Sequence, residues 1–179
     1  MPNPLQMSAV LVCAVLAGCA QTPSNPKNSG DDPHAMQLMS AGQATCLATS
    51  PGQNDHGAAA TNALRSAAGL PPVRPNPVLA RVAAQHACDM AQRGRMTHIG
   101  SRTAGPGPRV KAAGYAPRIT AENIAAGPFS QERVLAEWNA SSGHRANILI
   151  PQMRDYGIGQ AIGPDGKTRF WAAVYAAPK

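Results

Sequence analysis

Aromatic side chains make up only 4% of this 179-residue chain, and none precedes Tyr115. The densest core is therefore expected from the C-terminal half, with earlier helices packing on it through aliphatic side chains. Acids are also few, nine against sixteen basic residues, which leaves a formal charge of +7. Six basic residues and no acid lie between Met90 and Ala121. That run has no interleaved aromatic platform, which argues against nucleic acid as a partner. A solvated face or an affinity for anionic polymers fits it better. Long apolar runs are missing too. Met7–Leu16 spans about ten residues, too short to cross a bilayer stably. No internal repeat and no His-Glu-x-x-His metal motif are present.

What the N-terminus does hold is the core of an export signal. Leu16-Ala17-Gly18-Cys19 closes it and looks like a bacterial lipobox, in which Cys19 is lipidated and becomes the first residue. No Lys or Arg precedes the apolar run, and the alternative is an ordinary secretory peptide cleaved nearby. Residues 1–19 are thus read as a lipoprotein signal and 20–54 as a Pro/Gly/Ser-rich tether, with a short ordered piece near Ala35–Met39. The domain proper is expected over 55–179. Setting Cys13 and Cys19 aside leaves Cys46 and Cys88. Cys88 falls almost opposite Leu79 on its helix, within reach of the N-terminal extension. An exported chain permits a Cys46–Cys88 bridge, and the alternative is two free thiols.

Periodicity and punctuation give the element order. A helix is expected over His56–Ala68, ending at Gly69, and another over Pro77–Gln92, started by Asn76-Pro77 and stopped at Gly94. Arg95–Ile99 reads as extended, Gly100–Pro108 as a loop and Arg109–Ala113 as a short helix. Ile119–Ala125 reads as a strand, and Gln131–Ala140 as a helix capped by Ser130. A shorter helix runs over His144–Ile150. Tyr156–Ile162 and Thr168–Tyr175 read as strands joined by the Gly163-Pro164-Asp165-Gly166 turn. Helices before and between such strands suggest an α/β (α+β) fold, a three-layer α-β-α sandwich around a mostly antiparallel sheet.

One stretch concentrates the chemistry. Glu122 sits in the apolar frame Ala121-Glu122-Asn123-Ile124-Ala125, and a buried carboxylate is costly unless paired. His98 and His144 are its natural partners. His86 lies on an apolar helix stripe and reads as a core histidine. His34 and His56 have no nameable partners. Glu137 reads as a solvent charge, Trp138 as a core anchor, and Asn123 and Asn147 as groups that satisfy loop backbone.

Met96-Thr97-His98-Ile99-Gly100, the Glu122 segment, Glu137-Trp138-x-x-Ser141 and Ser142-Gly143-His144-Arg145-x-Asn147-Ile148-Leu149 resemble, in that order, the CAP superfamily. This family groups cysteine-rich secretory proteins, antigen 5 and pathogenesis-related 1 proteins, and the bacterial secreted branch fits best. The resemblance implies the same α-β-α sandwich and a cleft that holds His98, Glu122, Ser141 and His144. Many eukaryotic members carry a second glutamate where this chain has Ser141. His98 and His144 are implied metal ligands for Zn2+ or another divalent cation, with Glu122 as ligand or as the partner that fixes a tautomer. The alternative is a buried polar network that only ties loops together.

Two functions follow as expectations. The favoured one is a non-catalytic, lipid-anchored module at the cell envelope that binds a glycan, peptide or lipid, with an anionic envelope polymer or glycan as the candidate partner. The other is a metal-assisted hydrolase of cell-wall polymer or peptide, with Glu122, His144 and His98 as catalytic candidates. A glycosidase normally wants two carboxylates, and only Glu122 is placed by motif.

Overall fold

The computed structural model describes residues 32–179. The lipobox with Cys19, the signal over 1–19 and the first part of the tether lie outside the described residues. Met36–Gln37 falls within the ordered piece expected near Ala35–Met39, whereas the order farther along that tether differs from expectation. Met36–Gln37 forms β1 and Thr45–Cys46 forms β2, and each pairs with a later strand. The β2 pairing satisfies backbone groups that a Pro/Gly/Ser-rich composition gave no reason to expect ordered.

Helix α1 spans Pro51–Ala67, five residues earlier than His56. Ser50 caps it by accepting from the Gln53 amide, and Pro51 follows at the first position. This is the same N-cap and proline signal that Asn76-Pro77 gives. After β3 (Arg74–Pro75), α2 spans Pro77–Arg93, with Asn76 accepting from the Val78 and Leu79 amides. Gly94 ends it in the left-handed region at φ 61°. Then come β4 (Arg95–Met96), α3 (Pro106–Ala112) and β5 (Pro117–Gly127). The chain continues through α4 (Gln131–Ala140) and α5 (Ser142–Ile148). It closes with the hairpin β6 (Asp155–Ile162) and β7 (Arg169–Pro178). Gly166 has φ 69° at its turn, and Asp165 Oδ1 accepts from the Lys167 and Thr168 amides.

The main sheet runs β2-β6-β7-β5, with β3 pairing parallel to the start of β6; the other pairings are antiparallel. Strand alternation splits its two faces cleanly. Trp171, Ala173 and Tyr175 of β7 join α1, α4 and α5 in one core with Trp138. Phe170, Ala172, Val174 and Ala176 join α2 and α3 in the other. The fold is therefore the α-β-α sandwich. All the aromatics except Phe129 and Tyr115 are buried, so the C-terminal half does supply the dense centre.

Two glycines set how closely α2 approaches. A Cβ on Gly157 would lie 2.1 Å from the Ala80 nitrogen, and one on Gly159 would lie 2.2 Å from that of Ala84. The helix therefore rests directly on the β6 backbone. Cys46 and Cys88 are bridged, their Cα atoms 5.1 Å apart, which ties β2 to α2. Cys88 is half-buried on the flank facing β2 rather than fully outward.

Candidate functional site

Glu122 lies on β5, an edge strand, on the face that meets α2. Its side chain is 1% exposed. Arg109 on α3 donates from Nη2 to Oε1 at 2.6 Å. His98, just after β4, donates from Nδ1 to Oε2 at 2.9 Å. A second Arg109 nitrogen donates to the His98 carbonyl at 2.9 Å, so α3, the histidine and the carboxylate form one unit. The Asp32 carboxylate accepts from the His98 amide at 2.5 Å and the Thr97 hydroxyl at 2.8 Å.

His86 approaches Glu122 Oε2 to 3.6 Å and also lies 2.9 Å from the Thr97 carbonyl. Burial pushes its pKa down to about 4 against the pull of Glu122. It is therefore neutral near pH 7, and its Nε2–H donates to Thr97. The 3.6 Å approach is not an ion pair. Burial by itself pushes Glu122 up, but the neighbouring histidines and Arg109 outweigh it, and its pKa is lowered. Because His86 is neutral, Arg109 and His98 carry that compensation.

His144 sits on α5, on the opposite face of the sheet. The Asn123 side chain donates to its carbonyl at 3.2 Å, and Asn147 joins the Asn123 side chain at 2.9 Å and the Glu122 carbonyl at 3.1 Å. Both asparagines thus hold α5 against β5. Burial lowers the His144 pKa first, and the nearby His98 and His34 lower it further. Its ring lies 6.3 Å from Trp138, and its buried Nδ1 has no hydrogen-bond partner among the described residues.

The four expected residues are thus only partly joined. His98 bridges to Glu122 directly, while His144 senses His98 across the strand edge. Ser141 forms the joint between α4 and α5, and its side chain caps neither helix. Glu137 pairs with Arg133 on the surface. Sequence reasoning missed four members of this network. Arg109 follows a Gly/Pro loop that carries no signal of its role. Asp32 and His34 lay in the supposed tether, yet the His34 ring stands edge-on to His98 at 6.3 Å. His86 was legible as a buried histidine but not as a neighbour of Glu122.

Among the described residues, no three of His, Cys, Asp and Glu are arranged to hold a metal ion together. Each Glu122 oxygen accepts from a side chain, Oε1 from Arg109 and Oε2 from His98, so the carboxylate orients the His98 ring. His98 Nε2 has no hydrogen-bond partner among the described residues, and His144 Nδ1 is unpartnered but fully buried. A groove of about 890 Å³ lies elsewhere, along the outer side of α2 beside the disulfide, and none of these residues lines it.

The model of the cysteine-rich secretory protein family, CAP, matches residues 58–175. This chain belongs to that family. The CAP domain is 33% identical over 99 residues to the uncharacterized protein YkwD of Bacillus subtilis, covering 55% of this chain and 38% of that one. It also resembles the SCP domain of an extracellular protein from Bacillus anthracis, with TM-score 0.62 and 26% identity over 70% of this chain and 40% of that one. The chain therefore spans well under half the length of these two relatives. An outer surface protein of Borrelia burgdorferi shares the CAP fold with TM-score 0.65 and 17% identity, over 77% of this chain and 99% of that one.

Proposed function

We propose that this protein is an exported CAP module of the cell envelope, lipid-anchored through Cys19, that binds an anionic envelope polymer or glycan beside His98 and His144. The observation that supports binding over catalysis is the state of the Glu122 carboxylate. It is ionised, buried and held at both oxygens, so it has neither a proton to give nor a free lone pair facing a substrate. Asp32 also borders His98. Burial raises its pKa, but the His98 and His34 amides and the Thr97 hydroxyl outweigh burial and lower it. No carboxyl in this network is thus poised as an acid near neutral pH.

The charge pattern supports an anionic ligand. Of the six cations between Met90 and Ala121, Arg93 is spent on Asp89 and Arg109 on Glu122. Arg95, Arg102, Lys111 and Arg118 stay exposed. In this reading His98 and His144 hold a divalent cation weakly, since two imidazoles make an incomplete shell. Export is supported by the extracellular and outer-surface relatives. No helix among the described residues is long and apolar enough to cross a membrane.

The test is incubation of the full chain with whole peptidoglycan, with and without chelator. Co-sedimentation without released fragments is expected, weakening with added salt. Fragment release by wild type, lost in Glu122→Gln, would establish the hydrolase instead. Labelling cells with a fatty-acid tracer tests the anchor: the label is expected on wild type and absent from Cys19→Ala.

A further inference from the structure

Among the described residues, only two large apolar side chains are left exposed, Met36 at 54% and Leu38 at 40%. Both belong to the N-terminal strap, the segment that carries β1. Met36 pairs with Met96 in the β1–β4 ribbon, and the Leu38 amide extends that ladder by donating to the Gly94 carbonyl at 2.9 Å. Residues two apart on a strand share a face, so the two side chains stand together. Gln37 between them reaches the carbonyls of Arg93 and Gly94 at the end of α2, and Met39 packs against the α2 core. The strap is held by its odd positions and shows its even ones to solvent.

Single exposed apolar residues are ordinary, but a pair fixed side by side on a pinned strand asks for a cover. The preceding chain does not supply one, since residues 20–31 contain no Val, Leu, Ile, Met or aromatic side chain. What it does supply is a position. In the anchored reading Cys19 sits in a bilayer, and Met36 follows it by 17 positions. A tether that short keeps the pair at high effective concentration against the lipid surface, so a contact too weak to hold a membrane unaided is populated. The nearest charges along the strap are Asp31 and Asp32, with Arg95 across the ribbon. Asp32 is already spent on the His98 amide and the Thr97 hydroxyl. The contact therefore rests on apolar side chains rather than on charge.

We infer that Met36 and Leu38 form a membrane-resting patch that dips into the headgroup boundary of the bilayer holding Cys19. The inference rests on the anchor proposed above and not on the polymer or glycan. It gives the tethered domain an orientation. His34, two positions before Met36, stands 6.3 Å from the His98 ring, so the patch brings the His98 rim of the site to the lipid surface.

The test supplies the tether chemically, so it reads this contact whether or not cells lipidate the chain. The exported chain from Cys19 onward, with Cys46 and Cys88 bridged, is coupled through the Cys19 thiol to a maleimide lipid in phosphatidylcholine nanodiscs. Methionine methyl NMR then uses two relaxation agents, a gadolinium chelate in solution and one carried on a lipid headgroup. On coupling, the Met36 methyl is expected to lose broadening from the soluble agent and gain it from the lipid-borne one. Met90 and Met153, both fully buried, are expected to change little. Leu38→Ser is expected to weaken the lipid-borne effect on Met36 at least about threefold. Unmoved Met90 and Met153 resonances show that this variant is folded. The contact is expected to persist at about 0.5 M salt, where attraction between surface charges is screened. The inference fails if Met36 stays as open to the soluble agent after coupling, or if folded Leu38→Ser behaves as wild type. It fails equally if the contact needs phosphatidylglycerol and vanishes with salt, which would assign it to the +7 charge of the chain. A chain that makes this contact yet takes no fatty-acid label in cells supports the patch and overturns the anchor alone.

Discussion

At the scale of single residues, this molecule stakes stability on keeping histidine neutral. His86 has a pKa of about 4 in the folded chain, against an ordinary value of 6.5. The unfolded chain therefore binds a proton that the folded one refuses, and stability falls as pH drops from 6.5 toward 4. Glu122, Arg109 and Asp89 face the same ring and set the balance. Between pH 8 and pH 5 the loss from His86 is about 2 kcal/mol. His144 is shifted the same way and adds to it, whereas Glu122, lowered, acts only at more acid pH. Urea denaturation at each pH is expected to show a midpoint that slides downward in wild type and more shallowly in His86→Gln. Equal slopes in the two would contradict the assignment.

At the scale of elements, the α2–β6 contact leaves no slack. Placing a methyl on Gly159 forces α2 off the strand backbone, because the obstructing atoms are main chain and cannot rotate away. Overpacking of this kind costs about 1–3 kcal/mol, so Gly159→Ala is expected to lower stability by that amount, read as a lower urea midpoint at unchanged slope. Much of this layer was legible in the sequence. Asn76-Pro77 and Gly94 bracket α2 because capping and positive φ are local chemistry, and Asp165-Gly166 marks the hairpin for the same reason. The segment over 32–54 was legible only at the short ordered piece near Ala35–Met39; β2 and the first turn of α1 were not. Its strands exist because β4 and β6 offer them partners, and pairing at that distance leaves no mark in composition. The site divides along the same line. Glu122 announced itself as an acid in an apolar frame, and His98 as its partner. Arg109 and Asp32 act through contacts 13 and 66 positions away and could be seen only once folded.

At the scale of the whole molecule, the Cys46–Cys88 bridge joins the N-terminal strap to the sandwich across 42 positions. In the chain-entropy account, a loop of that length stabilises by about 3–4 kcal/mol. The double variant Cys46→Ser, Cys88→Ser is expected to lose that much in urea denaturation. The strap is also pinned further out, where Asp32 grips His98. Cys19 and Asp32 are 13 positions apart. Even drawn straight, that length of chain reaches at most about 43–47 Å, taking roughly 3.3–3.6 Å per residue. In the proposed anchored state, with Cys19 seated in a bilayer, the protein would be on a short leash fastened at the rim of its own site. His98 would then patrol only the layer of envelope nearest that membrane, and partners beyond that layer would have to come to it.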